Sequence, residues 1–430
     1  MPNILVNELL SFIDNSPSMF HATQSIEHKL EENNFTYLDR KDNWNLTNKG
    51  KYYTIVNNSC VVAFSINSQN LAEEGFRIIG THADSPGFRI KPNAQMHKDT
   101  YIKLNTETYG GPILATWLDR PLSAAGRVVL KSDNVLHPTI KLLDFKEPIM
   151  VIPSLAIHMN RQVNEGIKLN PQKDMLPVLG YIDDSVNKNL LLDFMANKLE
   201  VDKQDIFDFG MYLYPCESSC IVGVDKQFIS APRLDNLSMT HSALTGFING
   251  KSDVGINVFV AFDNEEVGSS TKQGANSPLL LHILERISNS IQCDREYFFR
   301  SLANSFIISA DVAHLYHPNY PEKSDPTTKV LPGKGPAVKI DASCKYTTDS
   351  DSYSVFANLC KMHRIPYQVF VNRSDVRGGS TIGPITATQL GLRSIDIGTP
   401  MLAMHSAREL MSVEDYGYTT AAMEAFYSLR

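Results

Sequence analysis

Short apolar runs that stop abruptly at polar, metal-competent side chains recur along this chain. The opening segment has a helical period: Leu5, Leu9, Leu10 and Phe12 form a stripe that breaks at Ser16-Pro17. There Ser16 reads as a helix cap and Pro17 as a first helical residue, and Met19, Ile26 and Leu30 continue the period. Residues 61–64 and 76–79 read as strands, the second running straight into Gly80-Thr81-His82-Ala83-Asp84-Ser85-Pro86-Gly87.

The texture changes between about residues 94 and 230. Short β-rich runs at 101–104, 126–130, 150–153 and 209–214 are separated by turn residues, and 187–199 has the pattern of one amphipathic helix. From Pro232 onward helix and strand alternate. Helices are predicted at 235–247, 279–291, 381–390 and 412–428, and strands at 254–262, 306–310, 366–371 and 395–397. That alternation predicts an α/β domain with a mainly parallel sheet, made from residues 1–93 and 231–430. Residues 94–230 then form an inserted β-rich module with a structural or assembly role.

Composition narrows the class. The 430 residues are 43% hydrophobic, enough for a large core, and the net charge of -7 gives no basic nucleic-acid surface. Six scattered cysteines without a CxxC pair predict reduced thiols rather than a zinc ribbon. The sequence has no signal-peptide pattern and no apolar run near the ~20 residues of a membrane span, so a cytoplasmic protein without membrane partners is expected.

The chemistry sits where strands end. Residues 76–79 lead to His82 and Asp84, 254–262 to Asp263, Glu265 and Glu266, 306–310 to Asp311 and His314, and 395–397 through Gly398-Thr399-Pro400 to His405. Any one such side chain is commonplace as a turn residue. Several together fit a single pocket, because ligands of open α/β sheets gather at the carboxyl ends of strands. Imidazole and carboxylate suit zinc. Two histidines and several acids exceed the needs of one tetrahedral ion and fit two ions sharing a carboxylate, with Asp235 at a helix start as the candidate bridge. In an extended segment Glu265 and Glu266 point to opposite sides, so one can bind metal while the other faces a water. Asp84 suits the other nitrogen of the His82 ring. On residues alone this predicts a metal-dependent hydrolase and no more.

At these same residues the chain resembles the M18 family of metallopeptidases, the aspartyl aminopeptidase family. The matching segments are Thr81-His82-Ala83-Asp84-Ser85-Pro86, Arg233-Leu234-Asp235-Asn236, Glu265-Glu266-Val267-Gly268-Ser269, Ser309-Ala310-Asp311-Val312-Ala313-His314, His317-Pro318-Asn319-Tyr320, Gly379-Ser380-Thr381-Ile382-Gly383-Pro384 and Met404-His405-Ser406-Ala407-Arg408-Glu409. The resemblance implies two zinc ions, one held by His82 and Asp311, the other by Glu266 and His405, with Asp235 between them. It implies Glu265 as general base, with Asp84 supporting His82. It implies Lys339, in Gly335-Pro336-Ala337-Val338-Lys339, as partner of an acidic substrate side chain, with Tyr346 and His314 beside it. Residues 152–158 also match, and His158 would then enter the site of a neighbouring subunit. The expected assembly is a homo-oligomer of dimers in a tetrahedral dodecamer, and the expected substrates are peptides with a free N-terminus, acidic residues preferred. A preference for neutral residues, a related di-metal carboxypeptidase or deacylase, and a non-enzymatic assembly protein are the alternatives.

Overall fold

The strongly apolar run Ile256–Phe262 is buried at every position and lies inside a nine-stranded sheet. The computed structural model describes residues 2–181 and 189–430. On one side Ile256–Phe262 pairs antiparallel with Cys60–Ile66, and on the other parallel with Phe76–His82. Phe306–Ala310 and Arg393–Gly398 extend the sheet in parallel, and Ala337–Lys339 follows antiparallel.

Strand periodicity sorts these side chains into two cores. Val61, Ala63, Ile79, Phe259 and Ala261 face helices Pro2–Asp14, Met19–Glu32, Leu234–Asn249, Ser350–His363 and Val413–Tyr427. Val62, Phe64, Ile78, Val258 and Val260 face Leu279–Ser290, Arg295–Ala303 and Ile382–Leu390. A sheet covered on both faces explains why its strands read as continuous apolar runs.

A second sheet has six strands, all pairing antiparallel, and its own core around Phe88, Trp117, Leu122 and Met211. It takes in Gly87–Lys98, so the chain enters it ahead of the residue-94 boundary expected from sequence. A third sheet joins Cys220–Val222 and Phe228–Ala231 to Glu409–Ser412, Pro400–Leu402 and Ala313–His314. The last stretch before residue 231 is thereby tied to the C-terminal part of the chain.

Some local expectations fail for identifiable reasons. Ser16 is not a helix cap. The helix starts at Met19 with Ser18 in the capping position, and Ser16 is buried with its hydroxyl 3.1 Å from that of Ser25. Residues 150–153 form no strand: Met150 and Val151 make single bridges to Leu122 and Val178. Pro148 and Pro153 flank them and supply no N–H to a ladder. The helix expected at 187–199 runs over Leu190–Leu199, and residues 187 and 188 lie outside the described residues. All six cysteines are free thiols. Among the described residues no helix is long and apolar enough to cross a membrane.

His241 sits in the core on the Leu234–Asn249 helix, its Nδ1 2.6 Å from the Tyr416 hydroxyl. Burial, with a smaller push from Lys29, lowers its pKa to about 3. The folded chain therefore holds it neutral, while an unfolded histidine binds a proton below about 6.5. Its contribution to stability is complete above that pH and is lost as pH falls toward the folded value. Between pH 7 and pH 5 the loss is about 2 kcal/mol. Urea unfolding at both pH values checks this: His241→Gln should lose about that much less than the wild type, and equal losses would exclude His241 as the cause.

Candidate metal centre

His82 ends the Phe76–His82 strand with its side chain 1% exposed. Its Nδ1 is 3.1 Å from the Asp84 carbonyl oxygen and 3.4 Å from the Asp84 carboxylate. The ring is thereby fixed with Nε2 facing inward, 3.5 Å from Asp235 Oδ1 and 3.6 Å from Asp311 Oδ1.

Asp235 stands at the head of the Leu234–Asn249 helix but off helical dihedrals, at φ -80° and ψ 104°, and its peptide bond to Asn236 is cis. Both sides of its backbone are held. Its N–H donates to Glu409 Oε2 at 3.0 Å, and its carbonyl accepts from the Ser85 hydroxyl at 2.7 Å. Asp235 Oδ2 lies 3.3 Å from His405 Nε2, which is 3.6 Å from Glu266 Oε2. His405 has a left-handed backbone, φ 67°, and its N–H donates to Glu409 Oε1 at 2.7 Å. Its ring Nδ1 is 3.1 Å from the Gly111 carbonyl oxygen. One buried carboxylate, Glu409, thus anchors the backbones of both Asp235 and His405.

These residues fit a metal. Separations of 3.3–3.6 Å between donor atoms are long for hydrogen bonds. They match the roughly 3.3 Å edge of a tetrahedron with ~2.0–2.1 Å zinc–ligand bonds. Asp235 Oδ1 is buried without a hydrogen-bond partner. Three donor groups have ligand atoms within 4.8 Å of one another: His82, Asp235 and Asp311; His82, Glu265 and Glu266; Asp235, Glu266 and His405. Asp235 belongs to two of them and turns a different oxygen toward each histidine.

Electrostatics agree. Burial pushes the Glu265 carboxyl up to about 8, with His82 opposing and Asp311, Asp84 and Asp235 adding to the rise. Burial, followed by Asp235, holds Glu266 well above its usual range. Burial opposes charging of His82, yet hydrogen bonds to Asp311 and Asp84 override it and raise its pKa. These shifts are those of a cluster in which acids outnumber bases.

The expected extended geometry of Glu265-Glu266 is not found. Glu265–Val267 is a single 3₁₀ turn, entered through Asn264 in the left-handed region at φ 63°. The Asp84 carboxylate accepts the N–H of Glu265 at 3.2 Å, the N–H of Glu266 at 3.1 Å and the Tyr109 hydroxyl at 2.8 Å. Asn264 Nδ2 in turn donates to the Tyr109 oxygen at 2.8 Å. Asp84 therefore supports the glutamate turn as well as His82. Sequence reasoning missed Glu409, Tyr109 and Asn264. Glu409 lay within a matching segment but carried no role there, and Tyr109 arrives from the six-stranded sheet with no local signal.

Lys339, the last residue of Ala337–Lys339, is buried with Nζ 3.2 Å from Asp311 Oδ2 and 5.3 Å from the Tyr346 ring centroid. The exposed His314 packs its ring 5.7 Å from that of Phe370. Lys339, Tyr346 and His314 line one cavity of about 450 Å³ together with His82, Asp235, Glu265, Glu266, Asp311 and His405. His158 does not line it: it is exposed in the Ile157–Met159 turn.

A mixed α/β sheet with histidines and acids gathered at its strand ends is the scaffold of a metal-dependent enzyme. The family model described as "Aminopeptidase I zinc metalloprotease (M18)" matches residues 12–427, and the chain belongs to this M18 family of zinc aminopeptidases. "Probable M18 family aminopeptidase 2" of Clostridium novyi (strain NT) is 54% identical over 425 residues, 98% of both chains. The protein of the same name from Ectopseudomonas mendocina (strain ymp) is 39% identical over 99% of this chain and 98% of its own. Among solved structures, the cryo-EM structure of the Ape4 and Nbr1 complex superposes with a TM-score of 0.94 at 32% identity, covering 99% of this chain and 86% of that one. The S. cerevisiae mApe1 dodecamer superposes at 0.85 and 28%, covering 99% and 96%.

Replacing Glu409 by Gln keeps its volume but turns an amide donor toward one of the two N–H groups it now accepts. Zinc affinity, measured by competition with a chromogenic chelator, is expected to fall about tenfold or more. Unchanged affinity would mean that the Asp235 and His405 backbones need no such anchor.

Proposed function

We propose that this chain is a dinuclear zinc aminopeptidase that releases a single N-terminal residue, preferentially Asp or Glu. The observation that carries the reading is Asp235, a buried carboxylate whose two oxygens face His82 and His405 separately. In this reading His82 and Asp311 would hold one ion and Glu266 and His405 the other, with Asp235 available to both. Zinc there supplies Lewis-acid polarisation of the scissile carbonyl and acidifies a water.

The protein's own groups do the rest. Glu265 takes the proton of the attacking water and delivers it to the leaving amine. Support for this role is its membership of a donor group with His82 and Glu266 and its place on the cavity wall. Asp84 holds the Glu265 turn in register with His82. Lys339 and Tyr346 receive the acidic side chain, and His314 lies at the rim. A free N-terminal amine placed near one metal, with the scissile carbonyl beside it, would limit cleavage to the N-terminal residue.

The proposed assembly is a homo-oligomer, dimers built into a tetrahedral dodecamer, in which His158 of a neighbouring copy completes the site and steadies the transition state. Leu155, Ile157, Met159, Val163 and Ile167 are exposed apolar side chains flanking His158, a surface suited to burial against another subunit. Such an assembly makes residues 94–230 a dimerisation module. The reading puts the protein in the cytoplasm, supported by its six free thiols.

Purified protein given Asp-, Glu-, Leu- and N-acetyl-peptides tests the reading. Turnover of blocked peptides without turnover of free-amine peptides would reject it. Glu265→Gln is expected to lower turnover at least about 100-fold while metal content by mass spectrometry stays the same; full activity would remove Glu265 from the mechanism. In Lys339→Met the Asp:Leu ratio of kcat/KM should fall at least about tenfold. The ratio is the readout because Lys339 also neutralises Asp311, so rates alone would mix specificity with metal binding.

A further inference from the structure

We propose that a second cavity, of about 510 Å³ beside the metal centre, is a binding cleft for the substrate chain beyond its first residue, and that it favours peptides carrying a carboxylate there. This inference rests on the aminopeptidase reading. The carboxylate is either a later Asp or Glu side chain or the C-terminus of a short peptide.

The first ground is continuity. His314, Phe370, Gly379 and Met404 line both this cavity and the one that contains the metal donors. An enzyme that removes one residue must let the remaining chain leave the metal cavity, and a path sharing four of its wall residues is available.

The second ground is the lining. His317 and Tyr320 pack there with ring centroids 4.9 Å apart, tilted by 53°, and offer a ring-lined wall to a peptide. They belong to the matching segment His317-Pro318-Asn319-Tyr320, which has no part in the metal centre. His317 Nδ1 accepts the Asn319 N–H at 3.2 Å.

The third ground is charge. The cavity wall carries Lys323, Asp325, Arg373 and Arg377. Arg373 is already satisfied, with a two-pronged pair to Asp375 at 2.9 and 2.8 Å and a bond to the Glu322 carbonyl at 2.8 Å. Asp325 accepts from the backbone of Thr327 and Thr328 at 2.9 and 2.8 Å and from the Thr327 hydroxyl, all at Oδ1, so one of its two oxygens closes its own turn. Lys323 and Arg377 are exposed and make no salt bridge among the described residues. Lys323 and Arg377, set against the single acid Asp325, leave the cleft net positive. Guanidinium and ammonium groups on a peptide path select carboxylates.

The test is a ranking of kcat/KM among tetrapeptides with one common first residue: X-Ala-Ala-Ala-amide, X-Ala-Ala-Glu-amide, X-Ala-Ala-Lys-amide and X-Ala-Ala-Ala with a free carboxylate. X is whichever of Asp or Leu the enzyme releases from its p-nitroanilide. The wild type should prefer the Glu peptide, the free-acid peptide, or both over the neutral amide by about fivefold, with the Lys peptide slowest. Preference for one of the two identifies the source of the carboxylate. The preference should shrink at high ionic strength. The double charge reversal Lys323→Glu with Arg377→Glu should invert the order of the Glu and Lys peptides. Equal rates for all four peptides in the wild type, or an unchanged order in the double variant, would overturn the cleft proposal. Failure to release either p-nitroanilide would instead strike the aminopeptidase reading, so the two are separable.

Discussion

Several carboxylates share one buried pocket, and that repulsion is the constraint around which the site is built. A buried acid is costly unless its charge is met by donors or cations. The protein spends its backbone N–H groups unevenly. Asp84 collects the amides of Glu265 and Glu266, and Glu409 collects those of Asp235 and His405. The acids that face the cavity receive no comparable share of amides: Asp235 Oδ1 has no hydrogen-bond partner, and burial raises Glu265 and Glu266 as it also raises Glu409. Supporting acids are satisfied by protein, and donor acids are left for cations. That division is what a metal site requires and what a purely structural acid cluster lacks.

Convergence of the donors follows from topology, but by two routes. Phe76–His82, Ile256–Phe262 and Phe306–Ala310 run parallel, so their following residues emerge at one edge of the sheet. His405 does not arrive that way. It lies between Pro400–Leu402 and Glu409–Ser412, two strands of the five-stranded sheet that also contains Phe228–Ala231. The six-stranded sheet reaches the centre too. Tyr109 donates to Asp84, the Gly111 carbonyl meets the His405 ring, and Gly110, at φ 65°, comes so close that a Cβ there would lie 3.0 Å from that of Glu266. Residues of the region read as an insertion therefore hold the site within a single chain.

This division also explains what the sequence reveals and what it hides. Runs such as Ile256–Phe262 are legible because both faces are buried, and the acids that follow them stand out against the apolar background. His82, Asp235, Glu266, Asp311 and His405 could be picked out for that reason, and the structure brings them together. Tyr109 and Asn264 could not, since their roles depend on contact between two sheets, which no local pattern encodes. The form of the Glu265 turn was hidden for a related reason: it follows from Asp84 accepting two amides from a segment 181 and 182 residues away. The helices Arg295–Ala303 and Ser350–His363 were legible but overlooked, each opening on an Asp whose side chain accepts a backbone N–H.

In the proposed reading, Lys339 would link acidic preference to the metal centre. Its ammonium serves Asp311, whose carboxyl it holds below the usual range against the opposing effect of burial. An incoming acidic side chain would meet a cation already shared, so the attraction it feels depends on how far Asp311 is neutralised from its other side, where His82 lies 3.6 Å from Oδ1. A cation drawing on Asp311 would free part of the Lys339 charge for substrate. Metal occupancy and acidic preference would then rise together through one carboxylate. The Tyr346 ring, 5.3 Å from the same ammonium, adds an attraction that persists in both states.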